Sequence, residues 1–451
     1  MPMACRLFTS LPAASTGVPA MAKQKIRDLD DLDLAQIIED HFGSQNLKKY
    51  PSGVWYFDGQ IWRPFSYAKL KAEVTYVLSQ NVDQVKDGRV KNTISLFQSH
   101  HYDEDERFEL GDQNTVVMKD DYYSFNGNTW DKRAPDRALM RRIQLPASYV
   151  DDQPVVFNKF LDDILCDAEG YALPDATELR QLIWEMLGYC LVTHTRYERF
   201  FILCGAGANG KSVLGAVAKE IVGRKQTCSV QPNKMGSVFQ RAYLEGKLLN
   251  LVTELNQNTE LEDGIIKAVV SGERMTVEAK YQDPRDIEPF AKHIILTNHM
   301  PRIRDYSDGL FRRISIISLQ RQFMGTDADP HLLEKLTDEL DAITSRAMDA
   351  LGKLINRKGK FTKPQSSKQA LEEWRMENNH LSEFAAERLY EVPQAKLSVQ
   401  AAYDDYEIWF SKTGRLGKLG RGQFSKRMEA HLRIPKKRTE AGYGFIGVTL
   451  R

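Results

Sequence analysis

The sequence predicts an α/β protein in three parts: an α+β region at the front, an α/β core in the middle, and a small helix-and-hairpin unit at the end. Three observations carry this. The apolar run Phe200-Phe201-Ile202-Leu203-Cys204 leads into the glycine-rich turn Gly205-Ala206-Gly207-Ala208-Asn209-Gly210-Lys211-Ser212, then into a helical run from Val213 that Gly223 stops. Further apolar strands follow, each leaving a polar residue at its end. From Ser411 to Arg438, ten Lys/Arg stand against one acid, Glu429, a net of +9 in a chain whose overall charge is +1.

Composition sets the class. A length of 451 residues suggests two or three domains, and 42% hydrophobic with 27% charged residues is globular usage. With a net charge near zero, any nucleic-acid surface must be local. No apolar run approaches the ~18 residues of a membrane span. The five cysteines, Cys5, Cys166, Cys190, Cys204 and Cys228, form no C-x-x-C pair, which argues against zinc and a disulfide framework and fits a reducing cytoplasm. Residues 1–22 are rich in Ala, Ser, Pro and Thr without a sustained apolar core. They read as a disordered leader, with Met21 an alternative start.

Residues 23–150 form the front region, a collar or docking element. Asp28 to Phe42 carries Leu29, Leu32, Leu34, Ile37 and Ile38 at helical spacing. Val54 to Trp62 reads as a hairpin around Asp58-Gly59, Tyr67 to Leu78 as a helix, His100 to Glu106 as a loop, and Val116 to Trp130 as a second hairpin. The hairpin aromatics could stack on bases, but core is the expected role. No catalytic pattern occurs in this region.

The core is expected over residues 151–357. Helices at Phe157–Leu165 and Glu178–Val192 precede the glycine turn. Strand, G-x-x-x-x-G-K-S and helix come in the order a phosphate-binding loop needs. Backbone N–H groups of Gly205, Ala206, Gly207, Ala208, Asn209, Gly210, Lys211, Ser212 and Val213 converge on phosphate oxygens, aided by the helix N-terminus. Lys211 can reach the β- and γ-phosphates and Ser212 can hold Mg²⁺, so ATP and Mg²⁺ are the expected ligands. The strand Lys247 to Glu254 delivers a carboxylate, and Glu254 is the candidate base. The strand His293 to Thr297 ends at Asn298, whose amide can orient water or sense the γ-phosphate. Arg312 and Arg313 precede a fourth strand, Ile314 to Leu319. Arg313, next to Ile314, is the expected finger toward a neighbour's γ-phosphate. Asp329-Pro330 opens a helix through Ala347.

Residues 358–392 are expected to be a linker with a helix from Lys368 to Glu377. Residues 393–451 hold helices at Val399–Phe410 and Gln423–Leu432 and a hairpin around Gly442 to Val448, a winged-helix pattern. Arg421, Lys426, Arg427, Lys436, Lys437 and Arg438 are its candidate DNA contacts.

The run of Gly-Ala-Asn-Gly-Lys-Ser, Leu-Val-Thr-Glu, Ser-Gly-Glu with Lys-Tyr, Leu-Thr-Asn and Arg-Arg-Ile resembles the superfamily 3 helicases, and within them the phage and plasmid replication helicases that are similar to the poxvirus primase-helicase. The motifs fall between Gly205 and Asn298. The resemblance implies an AAA+-type ATPase, a hexameric ring, and 3′ to 5′ movement on one DNA strand. It also implies a pore hairpin after Val269-Val270-Ser271-Gly272-Glu273, in which Lys280 contacts the DNA backbone and Tyr281 packs on the strand. Two departures stand out. Thr253 occupies the place where many relatives have a second acid, so Mg²⁺ leans on Ser212 and water. Residues 1–150 show no carboxylate pattern of a primase-polymerase, so no primer synthesis is expected and a separate polypeptide would supply the primase.

Two functions remain open on these residues. One is an ATP-driven DNA helicase of phage, plasmid or mobile-element replication. The other is an origin-binding initiator or loader, in which nucleotide only fixes assembly.

Overall fold

The computed structural model describes residues 25, 28–109, 111–112, 114–255, 259–280, 283–303, 308–378, 380–413, 418–431, 434–439 and 442–451. The expected leader and Tyr281 lie outside them. The chain is a mixed α/β protein built on a parallel sheet.

Five strands form that sheet, in the order Ile314–Ser318, Phe200–Cys204, Lys292–Thr297, Leu249–Val252, Thr227–Cys228. Every neighbouring pair is parallel. Parallel strands covered on both faces read as near-continuous apolar runs, and all six residues of Lys292–Thr297 and all four of Leu249–Val252 are buried, the polar Asn250, Lys292 and His293 among them. Alternate side chains go to opposite faces. Phe201, Leu203, Ile294 and Leu296 join the helices Val155–Ile164, Ala176–Tyr189, Lys211–Val222 and Leu340–Asn356 in one cluster. Phe200, Ile202, Ile295 and Ile316 join Val269 and Trp374 in the other.

The expected helix from Asp329 is two helices, Leu332–Asp338 and Leu340–Asn356. The break falls at Glu339, whose carboxylate accepts from the backbone N–H groups of Val156 and Phe157, both at 2.9 Å, and so caps the helix Val155–Ile164. The linker helix, Gln365–Asn378, lies against the edge strand: Ser367 Oγ donates to the Ile316 carbonyl at 2.5 Å, and buried Trp374 donates from Nε1 to the Pro301 carbonyl at 2.8 Å.

Upstream, the helices Asp31–Phe42, Tyr67–Asn81 and Asp87–His100 pack with the antiparallel sheet Leu47–Tyr50, Gly53–Phe57, Trp62–Phe65 around their own cluster. The third of these helices was not anticipated. A second antiparallel sheet, Thr115–Val117, Tyr122–Phe125, Trp130–Arg133, rests on the helix Leu340–Asn356, where Trp130 Nε1 donates to the Met348 carbonyl at 2.9 Å. Trp62, Tyr122, Tyr123 and Trp130 are buried, so these aromatics are core.

At the end of the chain the order is helix His380–Arg388, strand Leu389–Ser398, helices Val399–Lys412 and Arg421–His431, then strands Lys436–Thr439 and Gly442–Leu450. The three strands form an antiparallel sheet with Gly442–Leu450 in the middle. Leu381, Phe384 and Leu389 share a core with Tyr406, Phe424 and Phe445, so this unit starts near residue 380 in packing terms. No helix among the described residues is long and apolar enough to cross a membrane.

Candidate active site

The glycine turn runs from the end of Phe200–Cys204 to the helix Lys211–Val222. Gly210, at φ +85°, is required: a Cβ there would sit 2.6 Å from Ile164 Cγ2 and 3.2 Å from the Phe160 ring. The helix Val155–Ile164 therefore packs directly on the turn. On the far side, Phe323 N–H donates to the Ala208 carbonyl at 2.7 Å and Gln322 Nε2 to the Gly207 carbonyl at 3.0 Å. Sequence reasoning missed this strap, because nothing in Gln322-Phe323 marks it as a partner of a distant turn.

Lys211 is buried. Its Nζ donates to the carbonyls of Gly205 at 2.7 Å and Ala206 at 2.9 Å, and to Asn209 Oδ1 at 2.9 Å. Burial lowers the pKa of the amine. Ser212 is exposed beside it.

Register places the other candidates at the same end of the sheet. Cys204 pairs with Thr297, and Val252 with Ile295, so Glu254, two residues on, is level with Thr297. Asn298 directly follows Thr297, at the end of the strand between those that carry the glycine turn and Glu254, both Asn298 and Glu254 being exposed. Adjacent strands are ~4.8 Å apart, so turn and carboxylate are about 10 Å apart across the sheet.

The arginines are at the opposite end. Phe200 N–H donates to the Arg313 carbonyl at 2.8 Å, at the start of a strand whose other end carries the turn. Five residues at ~3.3 Å separate them by about 16 Å. Arg313 is held inside the protomer, 2.7 Å from Glu198 Oε2, donating to the Gly309 carbonyl at 2.6 Å and to Ser271 Oγ at 3.0 Å. Arg312 keeps 67% of its side chain exposed, with Glu198 only at 4.0 Å. The expectation favoured Arg313; the geometry favours Arg312 for any contact outside the protomer.

The expected hairpin pairs Met275–Val277 with Arg285–Ile287, and Lys280 is exposed in its tip. Its base is braced: Arg285 Nη2 is 2.5 Å from Glu245 Oε2, and Arg241 Nη2 donates to the Thr276 carbonyl at 3.1 Å. In the final unit Lys426, Lys437 and Arg438 are exposed, Arg427 is half-buried, and Arg421 donates to Gln400. Lys436 is 3.1 Å from Glu429 and 5.7 Å from the Tyr443 ring.

Burial also raises the pKa of the Cys204 thiol, directly before the turn, and further displaced values sit away from it. Burial takes Lys292 down to about 7 and His293 to about 3. Lys292 Nζ donates to the Phe290 carbonyl at 2.8 Å and His293 Nδ1 is 3.1 Å from Asn250 Nδ2, so both serve the fold.

Residues 203–313 match the model of a family of unknown function, DUF5906. The "Putative helicase L207/L206" of Acanthamoeba polyphaga mimivirus is 24% identical over 383 residues, 76% of this chain and 38% of that protein. The "Putative helicase 184R" of Invertebrate iridescent virus 6 is 22% identical over 253 residues, 47% of this chain and 26% of that protein. The chain thus spans well under half the length of these curated relatives. The apo structure of the NrS-1 C-terminal region is similar in fold, with a TM-score of 0.50 and 12% identity over 93% of this chain and 99% of that one. The chain therefore has distant homologues among proteins named as helicases in large DNA viruses.

Proposed function

We propose that this chain is the ATP-driven motor of a replication DNA helicase, with an AAA+-type superfamily 3 core working as a ring and moving 3′ to 5′ on one strand. One observation carries the reading. The glycine turn, Glu254 and Asn298 leave one end of the parallel sheet while Arg312 leaves the other. No arginine of that pair can serve its own phosphate loop across about 16 Å. It can serve a neighbour's, which is how two copies complete a hydrolysis site.

In this reading the turn amides and Lys211 bind the ATP phosphates, Glu254 takes the proton of the attacking water, Asn298 orients that water, and Arg312 of the adjoining copy spreads the charge on the γ-phosphate. The exposed hydroxyl of Ser212 and carboxylate of Glu254 are hard oxygen donors of the kind Mg²⁺ accepts. When bound, Mg²⁺ would neutralise phosphate charge. Lys280 grips the strand in the pore. The final unit is a winged helix whose helix Arg421–His431 and closing hairpin meet duplex or fork DNA. The names of the viral relatives agree with this function. The ring, its polarity and a separate primase rest on the resemblance.

The test is strand displacement with ATP and Mg²⁺ on duplexes carrying a 3′ or a 5′ single-stranded tail. The expected result is displacement from the 3′ tail and none from Lys211→Ala. ATP hydrolysis with DNA binding but no displacement on either substrate would favour the initiator or loader instead, which the basic final unit also suits.

A further inference from the structure

Asn209 is 2% exposed, yet both ends of its amide are engaged. Oδ1 accepts from Lys211 Nζ at 2.9 Å and Nδ2 donates to the Leu319 carbonyl at 3.1 Å. Leu319 follows the strand Ile314–Ser318, and its N–H donates to the Cys204 carbonyl at 2.9 Å. The amide therefore ties the lysine to the end of the edge strand.

The first glycine of the turn is part of the same arrangement. At Gly205, φ +149°, a Cβ would lie 2.2 Å from the Leu319 carbonyl oxygen and 2.3 Å from Asn209 Nδ2. Any side chain at residue 205 would occupy the space of the bridge. Gly205 is thus required by the contact between Asn209 and Leu319, whatever the turn binds.

We infer that Asn209 is a positioning residue for Lys211, bridging its ammonium to Leu319 so that the lysine enters the phosphate site from one fixed direction. This rests on the ATPase reading above. An ammonium has three donors. In this structure they go to two turn carbonyls and to Asn209 Oδ1. Two donors can pass from the carbonyls to phosphate oxygens while the third stays on the amide, so the side chain pivots about Asn209. An amide is needed because the bridge uses an acceptor and a donor in one planar group. A carboxylate would set acceptor against acceptor at the Leu319 carbonyl, and would hold the ammonium in competition with phosphate.

The experiment is a double-mutant cycle on the dissociation constant of a fluorescent ATP analogue, with the full chain. Asn209→Ala should weaken binding about tenfold in the wild-type background, as loss of a charge-assisted hydrogen bond does. In the Lys211→Ala background the same change should cost less than twofold, because the group it positions is gone. Equal losses in both backgrounds, or none in the wild type, would overturn the assignment. Asn209→Asp is nearly isosteric and serves if the alanine variant does not fold. Its ATPase should recover relative to wild type as pH falls and the carboxyl regains an O–H donor for Leu319. A pH profile parallel to wild type would overturn the assignment equally. A wild-type chain that binds no nucleotide would remove the ATPase reading itself, a result distinct from a wild type and an Asn209 variant that bind equally well.

Discussion

Arg313 donates to Gly309 and Ser271 and pairs with Glu198, so it would have to give up three acceptors before its guanidinium could reach another molecule. Among the described residues Arg312 shows no such commitment, with Glu198 standing 4.0 Å away. The two alanine variants should therefore fail differently. Arg312→Ala should fold as wild type and lose about a thousandfold or more of its ATPase, the scale of a missing arginine finger. Arg313→Ala should lose on the order of 2 kcal/mol in urea unfolding, since its charged hydrogen bonds hold Ser271 and Glu198 to the start of the edge strand. An active Arg312→Ala beside an inactive but stable Arg313→Ala would reverse the assignment. The sequence located this pair by its place before an apolar strand. It favoured Arg313 by adjacency to Ile314 alone, whereas the rank depends on Glu198 and Ser271, which only the folded sheet brings to one of them. Asn209 shows the same limit: the motif names it, and only the fold supplies Leu319.

Elements were legible where burial is continuous along the chain. Phe200–Cys204, residues 294–296 and the isoleucines of Ile314–Ser318 are apolar because both faces of a parallel sheet are covered. Thr227–Cys228 has no such run and is a strand only because Leu249 and Asn250 pair with it. Leu389–Ser398 escaped notice for another reason. Most of its residues are exposed, it contains Pro393, and its register shifts between Glu391 and Lys396. Asp87–His100 is a polar helix whose Val90, Ile94 and Phe97 form a narrow buried stripe. The hairpin from Met275 to Ile287 is the element with the sharpest functional prediction. Its base is fixed through Arg285 and Arg241, while its tip carries exposed Lys280. A cation on a braced lever can pull phosphates only if the charge is present. Lys280→Ala should cut strand displacement at least tenfold and leave affinity for the ATP analogue as in wild type, because the tip takes no part in the glycine turn. Displacement at the wild-type rate would remove the pore role from this hairpin.

At the scale of the whole molecule, charge is distributed against the chain's near-neutral average. The unit that begins at His380 holds the exposed cations Lys426, Lys437 and Arg438 and has a core of its own. The helix before it, Gln365–Asn378, belongs instead with the parallel sheet through Ser367 and Trp374. A truncation after residue 379 therefore removes one complete core and leaves the other whole, whereas a cut at 393 would strand Leu381, Phe384 and Leu389 without their partners. Each phosphate contact contributes a slope of about −0.9 to log affinity against log salt. If Lys426, Lys437 and Arg438 each meet a phosphate, truncation should weaken duplex binding and flatten that slope by about 2.7. Titrating a labelled duplex at several salt concentrations measures both quantities. Single-strand binding in the presence of ATP should fall less, because Lys280 remains on the sheet-bearing part. An unchanged duplex slope would mean that the basic surface faces solvent, and that the fork is held by the core alone.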